Sequence, residues 1–225
     1  MTAWLLATLL GMRHALDPDH LAALSTLAVD QGGVRRGAWL GALWGVGHTA
    51  ALLCVGLALA LLDAELPPRL ADGFELAVAV MLIGLGVRAI LRALSEGGRG
   101  EVHEHEHGGA RHAHPTAHRH LHLGRRTFAT RSLAVGVVHG LAGSGALTVL
   151  VATELPSMAA RLSYLLVFGA GSIAGMAFLS GVAGWPLAQL RHRERVGRAL
   201  ALATGALSAG LGAAWGTPLL ARVFG

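Results

Sequence analysis

Arg13-His14-Ala15-Leu16-Asp17-Pro18-Asp19-His20 interrupts an apolar run that extends from residue 3 to residue 29. A helix that crosses a bilayer needs about 20 mostly apolar residues, and the run is long enough. The interruption places five ionisable side chains at mid-depth, where each charged one costs on the order of 2.5–3.5 kcal/mol on insertion scales. Such groups need partners, and their default reading is functional. On a regular helix His14 shares a face with Asp17, and Asp17 with His20, whereas His14 and His20 diverge. Pro18 removes a backbone donor and disfavours helix at Asp17. The sequence therefore predicts a kink or unwinding at Asp17-Pro18 that brings both imidazoles and a carboxylate to one point and frees carbonyls that can bind a cation.

The rest of the chain sets this stretch in a membrane. Of 225 residues, 53% are hydrophobic and 14% charged, and the mean hydropathy is +0.55. Soluble domains carry about 25% charged residues, so a soluble globular enzyme and a disordered chain are both excluded. Six apolar segments, 3–29, 38–62, 74–94, 132–153, 162–190 and 197–221, read as transmembrane helices. The fold class is all-α, a polytopic membrane protein. Met1-Thr2-Ala3-Trp4 has neither a basic n-region nor a small-residue cleavage site, so the first segment reads as a retained span and not a signal peptide. Glycine, 32 of 225, suits closely packed membrane helices; the pairs Gly41/Gly45, Gly136/Gly140 and Gly171/Gly175 read as helix contacts.

All 18 basic residues are Arg, and the pI near 11.1 reflects membrane topology, not a nucleic-acid partner. With the N-terminus on one side, the connections there hold Arg69, Arg161 and Arg222. The opposite side holds thirteen, among them Arg35, Arg36, Arg92, Arg131, Arg195 and Arg198. By the positive-inside rule the richer side is cytoplasmic, with both termini outside a cytoplasmic (inner) membrane. Residues 95–131 then form a cytoplasmic His-rich loop, expected to be flexible without metal.

The halves on either side of that loop resemble each other. Gly11-Met12-Arg13-His14-Ala15-Leu16 and Gly136-Val137-Val138-His139-Gly140-Leu141 share G-x-x-H-x-L. Gly45-Val46-Gly47-His48 and Gly169-Ala170-Gly171-Ser172 share G-x-G before a polar residue. The domains read as 1–94, 95–131 and 132–225: two three-helix repeats joined by the loop. Three spans per half makes the repeats inverted, a plan that places polar sites near the midplane.

His20 and His48 each lie about ten residues from the inner end of their spans, roughly 15 Å deep at 1.5 Å per residue; His139 lies near 10 Å by the same rise. His14, Asp17, Asp19, His20, His48 and, less firmly, His139 are the candidate metal ligands. Imidazoles with carboxylates suit Ni, Co, Zn or Cu(II); Mg or Ca would want an all-oxygen set. Arg13 reads as an ion-pair partner for Asp17 or Asp19. The single cysteine, Cys54, excludes a thiolate cluster and reads as a packing residue.

Arg13-His14-Ala15-Leu16-Asp17-Pro18-Asp19-His20 resembles the R-H-A-x-D-A-D-H signature, with its H-x4-D-H motif, of the nickel/cobalt transporter superfamily, and Gly47-His48-Thr49 resembles its L-G-H-S/T motif. The resemblance covers about a quarter of the chain. It implies that His14, Asp19 and His20, with Asp17 and His48, recognise and move Ni2+ or Co2+. Pro18 stands where the family has Ala. Eight spans are typical of its permeases, and the L-G-F-D-T-A-T-E motif is absent; His139-Gly140-Leu141-Ala142-Gly143-Ser144-Gly145 looks like the shorter branch related to urease-accessory and nickel/cobalt-efflux membrane proteins.

The functional expectation is a transporter of divalent transition-metal ions, Ni2+ or Co2+ foremost, with the ion as substrate, no cofactor and no enzymatic activity. The alternative is a membrane accessory protein that supplies nickel to a metalloenzyme such as urease. The expected partners are the metal ion, the bilayer, and a second copy of the chain or a metallochaperone. His103, His105, His107, His112, His114, His118, His120 and His122 read as auxiliary loop ligands, and that loop suits export and import equally. His103-Glu104-His105-Glu106-His107 matches H-E-x-x-H by letter, but the zinc motif needs an ordered helix. An intramembrane serine enzyme at Ser144 fails for want of a histidine base in the last span.

Overall fold

The computed structural model describes residues 2–29, 33–62, 64–96, 102–107, 110–115, 125–142, 155–190 and 194–224. The first apolar run is two helices, α1 (Thr2–His14) and α2 (Pro18–Val29). Tight backbone bonds close the end of α1, from Leu16 N to Arg13 O at 2.8 Å and from Asp17 N to His14 O at 3.1 Å. Pro18 opens α2, where its missing N–H costs nothing. Asp17 stands at the cap position, its carbonyl accepting from Leu21 N at 3.0 Å. The predicted break is thus present, over Ala15-Leu16-Asp17.

Two long helices follow, α3 (Val34–Leu62) and α4 (Pro68–Glu96). Gly33, with φ 107°, turns the chain into α3, and its N–H donates to Gly184 O at 3.1 Å. In the expected His-rich loop, β1 (Val102–His107) pairs antiparallel with β2 (Ala110–Pro115), with His103 opposite His114 and His105 opposite His112. Composition alone gives no regular structure there. The helix α5 (Arg125–Gly140) begins inside the stretch read as loop and ends in a turn at Leu141-Ala142. The later part of that expected span, 143–153, lies outside the described residues. Then come α6 (Met158–Leu190), whose first turn is capped by Ser157 Oγ accepting from Ala160 N at 3.2 Å, and α7 (Glu194–Phe224).

Four segments are long and apolar enough to cross a membrane: Val34–Leu62, Pro68–Ser95, Met158–Pro186 and Arg195–Phe224. Each of these helices starts several residues before the segment expected from the sequence, at 34, 68, 158 and 194 against 38, 74, 162 and 197, because backbone hydrogen bonds continue into arginine-bearing flanks that hydropathy trims away. The first expected span is instead two short helices and the described part of the fourth is one, so among the described residues four helices, not six, meet the length of a continuous span. Large apolar side chains stay exposed along the bundle: Trp39, Leu57 and Leu61 on α3, Leu91 on α4, Phe178 and Trp185 on α6. An apolar surface of this extent matches hydrocarbon and not water, and the protein is an integral membrane protein.

α3 is the centre of the packing, lying against both α5 and α6, while α1 packs on α6 and α4 on α7. Small residues allow these approaches. A Cβ at Gly11 would overlap the Phe168 carbonyl, one at Gly136 the Trp44 carbonyl, and one at Gly140 the His48 carbonyl. Gly47 lies against Leu133 and Gly171 against Thr8 in the same way. Gly41, Gly45 and Gly175 meet Met176, Ile173 and Met12, so all three small-residue pairs are helix contacts. The core gathers Leu40 and Trp44 of α3, Leu82 of α4 and Met176 of α6, immediately beside the helix break. Cys54 is exposed on α3. It faces away from the packed core, because its offset of six from His48 puts it on another face.

Candidate metal centre

The break after His14 restarts the helix in a new direction, and this lets side chains six residues apart meet. The rings of His14, at the end of α1, and His20, in the first turn of α2, lie 4.5 Å apart. His48 comes from the middle of α3, its ring 4.9 Å from His14 and 5.3 Å from His20. His139, in the last turn of α5, lies 4.1 Å from His20. All four imidazoles are buried, His48 completely. Close glycine packing makes this possible: Gly47 and Gly140 let α3 and α5 approach until His48 and His139 reach one cluster.

The nitrogen spacing suits a shared ion. His14 Nε2 and His48 Nε2 are 3.0 Å apart. Two imidazoles bound at right angles to one ion, with metal–nitrogen bonds of roughly 2.1 Å, would have their nitrogens about 3 Å apart. The donor atoms of His14, His20 and His48 lie within 4.8 Å of one another, and so do those of Asp19, His20 and His139. Buried His20 Nε2, His48 Nδ1 and His139 Nδ1 have no hydrogen-bond partner, an arrangement that is costly in an interior unless a ligand engages the ring.

The two aspartates are placed differently. Asp17 Oδ2 lies 2.8 Å from His14 Nδ1, with its side chain 38% exposed. It faces the outer edge of the imidazole and leaves Nε2 directed at His48. A carboxylate behind a ligating histidine fixes its tautomer and orientation. Asp19 is buried at the centre: Oδ1 accepts from His20 N at 2.9 Å and lies 3.1 Å from His20 Nδ1, while Oδ2 is 2.8 Å from His139 Nε2.

Of the residues expected from the sequence, His14, Asp17, Asp19, His20, His48 and His139 are brought together. Arg13 is not. It is exposed, and the partners of Asp17 and Asp19 are histidines. Arg13 was expected to pair because it is adjacent in sequence, but the last turn of α1 directs it away from His14. His103, His105, His107, His112 and His114 lie on the hairpin; His118, His120 and His122 lie outside the described residues.

Sequence reasoning missed Trp44. Its indole stacks on His20 at 5.5 Å with 22° between planes, and meets His139 edge-on at 5.5 Å. Its position four residues before His48, on the same face of α3, was the available signal. Phe168 of α6 flanks the other side, 5.5 Å from His14. Trp44 and Phe168 are themselves buried, so apolar aromatic surface walls the cluster on both sides.

A family model described as high-affinity nickel-transport protein, NicO, matches residues 1–188. The chain is 30% identical over 209 residues to urease accessory protein UreH of Bacillus sp. (strain TB-90), an alignment taking in 90% of this chain and 85% of that protein. It is 33% identical over 207 residues to chloroplast protein FOR GROWTH AND FERTILITY 2 of Arabidopsis thaliana. It is 29% identical over 210 residues to chloroplast protein FOR GROWTH AND FERTILITY 1 of the same plant. Both alignments span 91% of this chain but only 53% and 56% of those longer proteins. No solved structure matches.

Proposed function

The chain belongs to the NicO family of high-affinity nickel-transport proteins, and on that premise we propose that it carries Ni2+, or its close chemical neighbour Co2+, across a membrane through the buried His/Asp cluster. The observation that carries the reading is the 3.0 Å separation of His14 Nε2 and His48 Nε2, with a carboxylate behind His14. Nitrogen-rich donor sets with carboxylates favour late first-row divalent ions, and ionisable residues inside a membrane mark ion pathways. His14, His20 and His48 serve as nitrogen ligands, His139 joins from the second half, and Asp19 offsets the charge of the ion.

Six spans in two inverted repeats remain the best architecture, and the packing supports it. Exchanging the first half for the second turns the contact of Gly11 with Phe168 into that of Gly136 with Trp44, and that of Gly171 with Thr8 into that of Gly47 with Leu133. The contact of Gly86 with Gly205 becomes that of Gly212 with Ala79. A two-fold relation between halves with opposite membrane orientations gives this correspondence. On this reading α1 with α2 is a broken span whose break binds the ion, as in other repeat transporters. The arginines on one side of the membrane support an inner-membrane orientation with the hairpin loop cytoplasmic; the loop histidines gather metal there.

The name of the Bacillus relative favours a second reading, in which the protein supplies nickel to urease or a similar metalloenzyme. Radioactive nickel flux into proteoliposomes separates the two, comparing wild type with His20→Ala and a deletion of 99–124. Transport predicts flux in the wild type, its loss in His20→Ala, and its retention in the loop deletion. Nickel bound by the loop with no flux in the wild type supports the accessory role.

A further inference from the structure

We infer that the cluster is two overlapping ion positions that share His20, so that one ion passes from the first to the second by exchanging ligands around that imidazole. The first position comprises His14, His20 and His48, all from the N-terminal half; the second comprises Asp19, His20 and His139, and so needs α5. Donor spacing in each is that of neighbours on one ion: 3.0 Å between His14 Nε2 and His48 Nε2, and 2.8 Å between Asp19 Oδ2 and His139 Nε2. His20 lies between them, its ring 4.5 Å from His14 and 4.1 Å from His139, whereas the rings of His48 and His139 are 6.2 Å apart.

His20 is suited to the shared role. Its Nδ1 lies 3.1 Å from Asp19 Oδ1, on the side of the second position, and its Nε2 is buried with no hydrogen-bond partner. Trp44 stacks on the ring and fixes its plane. A neutral imidazole has one unprotonated nitrogen and so ligates one ion at a time, which excludes simultaneous occupancy while His20 keeps its ring proton. The positions also differ in charge: three neutral nitrogens in the first, one carboxylate with two nitrogens in the second. Passage between weak, unequal positions lets an ion be selected and then released. The meaning of the exchange rests on the transport reading above, but the binding half of its test does not.

The test uses the full-length chain with the loop histidines at 103, 105, 107, 112, 114, 118, 120 and 122 changed to Gln, which removes loop binding. Co2+ is titrated by equilibrium dialysis and by visible absorption, whose bands report the ligand set, and cobalt flux is measured in proteoliposomes. His139→Gln keeps an amide that can donate to Asp19 and removes the imidazole; His48→Gln is its counterpart at the first position. The wild type should bind one Co2+. Each single variant should still bind one ion, weakened by about tenfold to a hundredfold, with the two spectra shifted differently and flux lowered at least about tenfold. His20→Gln should weaken binding more than either single variant, by at least about a hundredfold, because it damages both sets. Retained binding in the single variants also reports that they fold. The inference is overturned by two ions bound at saturation, by parallel loss of binding in all three variants, or by an unchanged spectrum and flux in His139→Gln. A wild type that binds one ion without flux would remove the transport reading, and the comparison of spectra would still decide whether two positions exist.

Discussion

Replacing Asp17 tests whether it holds a ligand or is one. Among the described residues its hydrogen bond to the cluster is Oδ2 to His14 Nδ1 at 2.8 Å. Hydrogen bonds involving a charged group are worth about 1.5–3 kcal/mol, and neutral ones about 1 kcal/mol. The side chain is 38% exposed, which places the contact at the low end of that range. Asp17→Asn keeps an acceptor oxygen and loses the charge, a cost of about 1 kcal/mol or roughly fivefold in nickel affinity. Asp17→Ala also releases the ring, at about 1.5–2 kcal/mol, or roughly 15- to 30-fold. His14→Ala removes a nitrogen ligand and should cost more than either. Isothermal titration of Ni2+ into the chain lacking its loop histidines reads all three. An Asp17→Ala variant as damaged as His14→Ala would mean that Asp17 binds the ion directly; unchanged affinity in Asp17→Ala would mean that orienting His14 is irrelevant.

Other perturbations follow from the same geometry. Asp19→Ala leaves His20 and His139 without their common acceptor in a buried site, so nickel binding should fall by more than about a hundredfold; equilibrium dialysis would show it, and wild-type affinity would contradict the central role given to Asp19. Gly11→Val places a side chain against the Phe168 carbonyl and should prevent α1 from docking on α6, lowering the melting temperature or abolishing expression. Gly84→Ala, with open space around it, should leave the melting temperature unchanged or slightly raised; equal damage from both would refute the packing account. Cys54→Ala should leave nickel flux and melting temperature within error, since the thiol is exposed on α3; a large drop would place Cys54 in a contact that the structure does not give it.

Much of the site was legible because membrane depth is a strict ruler. His20 and His48 fall at equal distances from the ends of their spans, and Pro18 announces the break that lets His14 and His20 meet. His139 was visible only through the repeated G-x-x-H-x-L, since a lone histidine on an apolar helix has an ordinary packing explanation. The separate tasks of Asp17 and Asp19 were not legible. They depend on where α2 restarts: Asp17 stays with the end of α1 and turns back to His14, while Asp19 enters the first turn of α2 and faces His20 and His139. Adjacency misled for Arg13, which the same turn of α1 points outward. Trp44 was hidden among the apolar residues of α3, because hydropathy does not distinguish an indole stacked on a ligand from one that fills the core. The start of the fourth span was placed at 132, after the observed start of α5 at Arg125, since the polar first turns of that helix resemble the loop before it.

The central claim, that the ion is held by the buried imidazoles, is tested most directly by X-ray absorption at the nickel edge. The sample is the full-length chain with its loop histidines changed to Gln and one equivalent of Ni2+ bound. The account predicts two or three imidazole nitrogens at about 2.0–2.1 Å, with the multiple-scattering pattern of the rings, and a weakened pattern in His20→Ala. An oxygen-only shell in the wild type, or an imidazole signal that survives His20→Ala unchanged, would contradict it.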